Sequence, residues 1–294
     1  MAKVLCIGVA TLDWVQVVRQ YPVVDSEVRA EQQYLWRGGN ATNTLVVLSQ
    51  LGEQCSWFGT LADDAFADLI CADLDLYDIN YSLCPRIINS VSPTSHILLS
   101  GESASRNIVH YRDLRELNVQ DSDGIDFSQW DWIHFEGRNI NETLSLMQYI
   151  KQQYPQVTIS LEIEKHRDGI EQLYDYADCL LLGRGFVEYQ GYETAEPFLK
   201  RLQNNLGHSC DLICAWGSQG ARGLSSKGVY FEVSAPKIEA IDTRAAGDVF
   251  NAGYIHARLQ GSHVANSVEQ ACHLASLKCS QLGLVNISEL VKKY

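Results

Sequence analysis

The chain has no Gly-x-x-x-x-Gly-Lys-Ser/Thr loop, no Cys-x-x-Cys pair, no His-Glu-x-x-His and no apolar run of 18 residues. The first absence excludes a P-loop nucleotide site. The second and third leave no signature of a zinc site. The fourth argues against a membrane-spanning helix, and Met1 to Val9 is too short and too soon polar for a secretory leader. It reads as a buried first strand instead. Positive charge is also scarce. Lys and Arg number 23 against 36 Asp and Glu, for a net charge of −13 and a pI near 5.0. That balance argues against nucleic-acid partners, which require a basic footprint. It also repels phosphate ligands at long range, so local basic residues or a metal ion are needed wherever a phosphate binds. The nine cysteines are odd in number and lack framework spacing. They read mostly as buried thiols of a reducing cytoplasm, and Cys210 and Cys214 fall on an apolar, strand-like run. No internal repeat, low-complexity tract or long linker is visible.

What is present is a regular alternation. Short buried strands are expected at 4–9, 54–59, 132–135, 157–161, 179–182 and 212–215. Helices are expected at 41–51, 63–77, 142–153 and 195–204. Strand followed by helix, repeated, implies an α/β fold of three layers: a mostly parallel sheet flanked by helices on both faces. With 294 residues the chain can bury one sizeable core, so a single domain over 1–294 is expected. Two regions, about 11–36 and 86–112, break the rhythm with β-type alternation. Together they read as a small β-sheet lid that leaves and rejoins the core.

Ile241-Asp242-Thr243-Arg244-Ala245-Ala246-Gly247-Asp248 carries the most information. A small-residue turn runs into an amphipathic helix, and the first-turn amides of a helix are free to meet an anion. A carboxylate in that turn, Asp248, can accept a hydroxyl proton while the amides hold a transferring phosphoryl group. The plainer reading is a loop-to-helix junction whose Asp complements the helix dipole. Earlier, Arg37-Gly38-Gly39-Asn40-Ala41-Thr42-Asn43 precedes a helix. Its glycines permit close backbone approach, and Asn40 and Asn43 share one helix face, suited to sugar hydroxyls. The alternative is a Gly-Gly turn with Asn40 as helix cap. Asp13, after the first strand, is either a turn residue or an acceptor for a pair of hydroxyls.

Asp242 to Asp248 resembles the Asp-Thr-x-(Gly/Ala)-Ala-Gly-Asp signature of the ribokinase-type (PfkB) carbohydrate kinases, and Gly38-Gly39-Asn40-x-x-Asn43 resembles their first signature. Leu12-Asp13, Tyr21-Pro22, Asp25-Ser26-Glu27, His134 to Asn139, Glu162 to Lys165 and Cys214-Ala215-Trp216 are similar to the ketohexokinase-type branch, which phosphorylates fructose at C1. The resemblance extends from Val4 to about Gly283. It implies a ribokinase-like fold and ATP-dependent phosphorylation of a primary ketose hydroxyl, with fructose 1-phosphate as product. Another small sugar, polyol or nucleoside as acceptor, or a catalytically weak sugar or nucleotide sensor, stays open at this point.

By matching motif, the resemblance implies Asp248 as catalytic base and Ala245, Ala246 and Gly247 as the anion hole. Arg106, in Ser103-Ala104-Ser105-Arg106, would lie near the phosphoryl path. Asp13, Gly39, Asn40 and Asn43 would hold the ketose, with Arg138 and Lys165 as further basic residues of the cleft. Asp25 would reach the sugar of a partner subunit, which implies a homodimer through the lid. Gly217 and Gly220 would contact nucleotide phosphates, and Phe250, Ala275 and Cys279 would lie near the adenine. ATP and Mg2+ are the implied cofactors, with Glu136 orienting a water on the metal. The Asn-x-x-Glu motif that many relatives carry is replaced here by Gly183-Arg184-Gly185-Phe186 and then Glu188. A cytoplasmic enzyme with neither nucleic-acid nor membrane partners is expected.

Overall fold

The computed structural model describes residues 1–103 and 105–292; Ala104, inside the quoted Ser103–Arg106 stretch, lies outside the described residues. In chain order the strands are β1 (Lys3–Ile7), β2 (Thr11–Val18), β3 (Gln32–Gly38), β4 (Gln54–Phe58), β5 (Leu61–Ala62), β6 (Arg86–Ile87), β7 (Thr94–Ser100), β8 (Arg106–Tyr111), β9 (Trp132–Glu136), β10 (Thr158–Ile163), β11 (Cys179–Gly183), β12 (Asp211–Ala215), β13 (Ala221–Leu224) and β14 (Tyr230–Val233). The α-helices are α1 (Asn40–Gln50), α2 (Ala65–Asp75), α3 (Ile140–Gln153), α4 (Arg184–Tyr189), α5 (Ala195–Asn205), α6 (Ala246–Leu259), α7 (Val264–Cys279) and α8 (Ile287–Lys292).

The main sheet has the order β14-β13-β12-β11-β10-β9-β1-β4, parallel from β12 through β4 and antiparallel at β13 and β14. Strands buried on both faces must be largely apolar on both, and β1 shows it. On β1, Val4 and Cys6 enter one core with α1, α6 and α7, while Leu5 and Ile7 enter a second core with α3 and α5. Two cores on opposite faces of one sheet make the three layers expected from the alternation. The expected elements lie within two residues of those observed. The edge hairpin β13–β14 had no sequence signal: its strands are four residues long and interrupted by Arg222, Gly223 and Glu232.

A four-stranded second sheet, β3-β2-β7-β8, stands apart from the first. Leu12, Val15 and Val18 of β2 are buried, whereas every residue of β8 is exposed. Arg86–Ile87 does not join this sheet; it pairs with Leu61–Ala62. Strand order reverses at β1, whose neighbours are β4 on one side and β9 on the other. In open α/β sheets, ligands bind outside the carboxyl ends of the strands at such a point. All nine cysteines are free thiols, seven of them buried. Among the described residues no helix is long and apolar enough to cross a membrane.

Candidate active site

Between the carboxyl end of β10 and the second sheet lies a cleft of about 440 Å3. Its floor is made by two helix starts. Gly39 begins α1 at φ 108°, and a Cβ there would come within 2.1 Å of the Val9 carbonyl oxygen. Only glycine fits, so the chain enters α1 tightly against the end of β1. A Cβ on Gly38 would lie 2.3 Å from Asp13 Oδ2, so the second glycine makes room for that carboxylate. The helix cap is Gly39 and Asn40 is already helical, which frees the Asn40 side chain from capping.

The other start is α6. Ala245 sits at φ 55°, in the left-handed region that favours glycine, and serves as its cap. This is the physical reason the signature prefers glycine at that position. First-turn amides have no intrahelical acceptor. Here Ala246 N–H meets the Thr243 carbonyl at a long 3.4 Å. The turn is held from behind by Lys278 of α7, whose side chain is 1% exposed. Its Nζ donates to the carbonyls of Asp242 and Arg244 and lies 3.0 Å from Asp242 Oδ2. Arg244 also pairs with Asp242 and lays its guanidinium 4.1 Å over the Trp36 ring of β3. Burial alone would raise the Asp242 carboxyl, but hydrogen bonds from Arg244 and the Lys278 charge outweigh it and hold it down to about 2.

The two starts meet at one hydrogen bond. Asn43 Nδ2 donates to Asp248 Oδ2 at 2.7 Å. Asn43 Oδ1 in turn accepts from Arg37 Nη1 at 2.9 Å, and Arg37 Nε is anchored on Asp73 of α2 at 2.6 Å. A guanidinium can only donate, so Arg37 fixes which end of the Asn43 amide faces Asp248. The Asp248 carboxyl is pushed up to about 7, chiefly by burial and by the charges of Glu164 and Glu136, against the Asn43 hydrogen bond and Arg37.

Beneath lies a pair of buried carboxylates. β9 and β10 run parallel with Glu136 opposite Glu162, so both point to the same face at the strand ends. Glu162 accepts from Asn40 Nδ2 at 3.1 Å and Asn251 Nδ2 at 3.0 Å, tying β10 to α1 and α6. Burial pushes its carboxyl well up, helped by Asp248, Glu136 and Glu164. Glu136 accepts from the Ala41 amide at 2.7 Å and from Arg138 at 3.1 Å, so each of its oxygens is engaged. Asp13 accepts from Thr11 at 3.0 Å, and burial raises its carboxyl against hydrogen bonds from Ser95 and Thr11.

The cleft therefore gathers Asp13, Gly39, Asn40, Asn43, Arg106, Ala245, Ala246, Gly247 and Asp248. Arg138 and Lys165 line an adjoining recess that shares Asp13, Gly39 and Asn40. The remaining candidates lie elsewhere. Asp25 is exposed on the β2–β3 connection. Gly217 and Gly220 form a turn after β12 and line neither space. Phe250 is buried in the core beside α7. Ala275 packs on that core, and Cys279 acts through its carbonyl, which accepts from the Ile241 and Asp242 amides. Glu188 is spent on Arg184 within α4. Sequence reasoning missed Glu162, Arg37 and Lys278. Glu162 has a signal, a lone carboxylate at the end of the apolar strand Thr158–Ile163. Lys278 has none, because one lysine in an amphipathic helix looks like a solvated charge.

Comparison with known proteins agrees with this architecture. The pfkB family carbohydrate kinase description matches residues 1–290. Ketohexokinase of Mus musculus is 32% identical over 97% of this chain and 98% of its own length. Ribokinase of Thermotoga maritima shares the fold with a TM-score of 0.82 at 18% identity, covering 100% of this chain and 99% of its own. Ribokinase of Cryptococcus neoformans, solved with ADP, superposes with a TM-score of 0.78 at 13% identity, covering 100% of both chains. On the family match, the ribokinase-like fold and the two helix starts that carry its signatures, this chain belongs to the PfkB family of carbohydrate kinases, phosphotransferases with an alcohol acceptor.

Proposed function

We propose that this sugar kinase phosphorylates the primary hydroxyl next to the carbonyl of a ketose, with fructose at C1 as the simplest acceptor and ATP as donor. The observation that carries the reading is the hydrogen bond from the Asn43 amide to Asp248, a buried carboxylate with a raised pKa. The 32% identity to mouse ketohexokinase supports a ketose over other sugars. Asp13, Asn40 and Asn43 bind the sugar hydroxyls. An oxygen of Asp248 takes the proton of the reacting sugar hydroxyl as the hydroxyl oxygen forms its bond to the γ-phosphorus and the bond from the γ-phosphorus to the ADP oxygen breaks. The amides of Ala245, Ala246 and Gly247 hold the charge that develops on the phosphoryl oxygens. A carboxyl near 7 suits this role, because the base must be ionised yet still hold the proton it receives.

Among the described residues no three His, Cys, Asp or Glu side chains are grouped to hold a metal ion. The mutually repelling carboxylates of Glu162, Glu164 and Asp248 fit a magnesium ion that arrives on nucleotide phosphates and keeps several waters. Glu162 and Glu164 would face its water shell, and the ion would neutralise charge on the transferred group. The exposed strand β8, with Ile108, Val109 and Tyr111 each more than half exposed, supports a homodimer through the second sheet, which would cover an apolar edge. ADP release across a panel of ketoses, aldoses, polyols and nucleosides tests the reading. A strong preference for ribose or a nucleoside would overturn it.

A further inference from the structure

A recess of about 390 Å3 continues from the sugar cleft past Asp13, Gly39 and Asn40. Asp248 lines only the cleft and His110 only the recess, so the two stand at opposite ends with Asp13 between them. The four Arg and Lys side chains of the recess are matched in number by four carboxyl groups, so its wall calls for no charged occupant. Its distinguishing feature is a row of hydrogen-bonding side chains across the second sheet. Asp13 of β2 is paired with Ser95 of β7, and Ser95 with His110 of β8, which sets all three on one face. Asp13 accepts from Thr11 at 3.0 Å and also from Ser95. Ser95 Oγ lies 3.2 Å from His110 Nδ1. A serine hydroxyl has one proton, and a carboxylate only accepts. The Ser95 proton is therefore spent on Asp13, and the Ser95 oxygen accepts from Nδ1–H of His110. Burial and the charges of Arg112 and Arg138 hold the imidazole below its usual range, against the pull of Asp13, so the ring is neutral near pH 7. A neutral ring with its proton on Nδ1 has a bare lone pair on Nε2. Among the described residues no hydrogen bond reaches that atom.

We propose that His110 Nε2 accepts a hydrogen bond from the sugar hydroxyl farthest from the transferred one, the 6-hydroxyl in fructose, and so selects a neutral ketose that is hydroxylated at its far end. The proposal rests on the sugar lying between Asp13 and Asp248 as argued above, and it adds the residue that reads the other end. A hydroxyl suits Nε2 because it has a proton to donate. An apolar or purely accepting group would leave the lone pair unanswered. A His110 that merely steadied Ser95 and Asp13 would act on all ketoses alike.

The test compares kcat/KM for fructose, 6-deoxyfructose and 6-deoxy-6-fluorofructose, the last of which keeps an electronegative atom but has no proton to donate. Fructose is expected to exceed both analogues about tenfold or more. His110→Phe is expected to bring the three sugars within about twofold of one another, through loss on fructose alone. His110→Gln, whose amide oxygen accepts, is expected to restore part of the preference. The KM for ATP should stay unchanged throughout. A wild type that uses either analogue as well as fructose, or a preference that His110→Phe leaves intact, overturns the proposal. Circular dichroism checks the fold of both variants. If neither folds, the wild-type order decides: a fluorinated analogue as poor as the deoxy sugar supports the proposal, and one equal to fructose overturns it. Calorimetry of the three sugars with Asp248→Asn keeps the two readings apart. Turnover surviving in that variant sinks the base assignment, while equal binding of fructose and 6-deoxyfructose sinks the role of His110 alone.

Discussion

The floor of the cleft and the second sheet that walls it are built on opposite terms. The floor is buried and polar, and its main groups are held by named partners: Asp73 to Arg37 to Asn43 to Asp248, Glu162 to Asn40 and Asn251, Lys278 to Asp242. The wall is exposed along its outer strand, where β8 offers Ile108, Val109 and Tyr111 to solvent. Buried polar groups tolerate little displacement, because each lost partner costs about 1–3 kcal/mol. An exposed strand can shift or be covered at little cost. On the proposed reading, proton transfer belongs to the floor, and access and assembly to the wall.

The sharpest way to break this contrast is on the floor. Asp248→Asn is expected to lower kcat about 10²–10⁴-fold while the fold and ATP binding persist. Circular dichroism and nucleotide titration alongside the ADP assay check it, and near-normal turnover would remove Asp248 as base. Lys278→Met leaves Asp242 buried beside a single guanidinium. Breaking a buried pair on one side costs about 3–5 kcal/mol, so the urea midpoint should drop sharply. A shift no larger than that of a surface lysine variant such as Lys3→Met would show that the turn does not depend on it.

Asn43→Ala and Asn40→Ala should each weaken sugar use by about 1–3 kcal/mol, seen in kcat/KM for the sugar with the KM for ATP little changed. Unaltered fructose kinetics in both variants would detach the first helix start from the sugar.

pH separates the floor's two kinds of carboxylate. Asp248 is raised, so its folded state holds a proton that the unfolded chain has released. Stability tied to it is present below about pH 4 and is lost as pH rises through about 7. Asp242 is depressed, so its contribution is present above about pH 4 and is lost as pH falls toward 2. Asp248→Asn is therefore expected to flatten the decline in melting temperature between pH 5 and 8 and to leave the acid limb alone. In the wild type, kcat/KM should climb through about pH 7 as the base ionises; a flat profile from pH 5.5 to 8.5 would contradict the assignment. The wall is expected to respond least in chemistry. Val109→Asp should shift the sedimentation of a dimer toward monomer while barely moving the unfolding free energy of each chain. A wild type that is monomeric at micromolar concentration would end the dimer proposal and leave Asp25 with no second cleft to reach.

Much of the layered fold was legible in the sequence, because parallel strands buried on both faces leave short apolar runs and helices leave a 3.6-residue period. Residues 179–183 are of this kind. The hairpin at 221–233 was not legible, since an edge pair with Arg222 and Glu232 on it has no such run. Of the site, the two small-residue turns stood out because a helix start that approaches a ligand needs Gly or Ala in series. Arg37, Glu162 and Lys278 stood out far less, since a charge becomes informative only when it is known to be buried.

By itself the sequence determined the alternation of elements, the turns Gly38–Asn40 and Ala245–Gly247, and the kinship those turns carry. These are local matters of periodicity and backbone sterics. Only the tertiary structure decided that Asn43 faces Asp248 across 205 residues of chain, and that Glu136 and Glu162 stand opposite each other on neighbouring strands. It also gathered Arg112, Arg138 and Arg167 around one recess. Sheet order sets those distances, and the burial that follows raises Asp248 to about 7. No stretch of sequence encodes that by itself, because desolvation belongs to the packed whole.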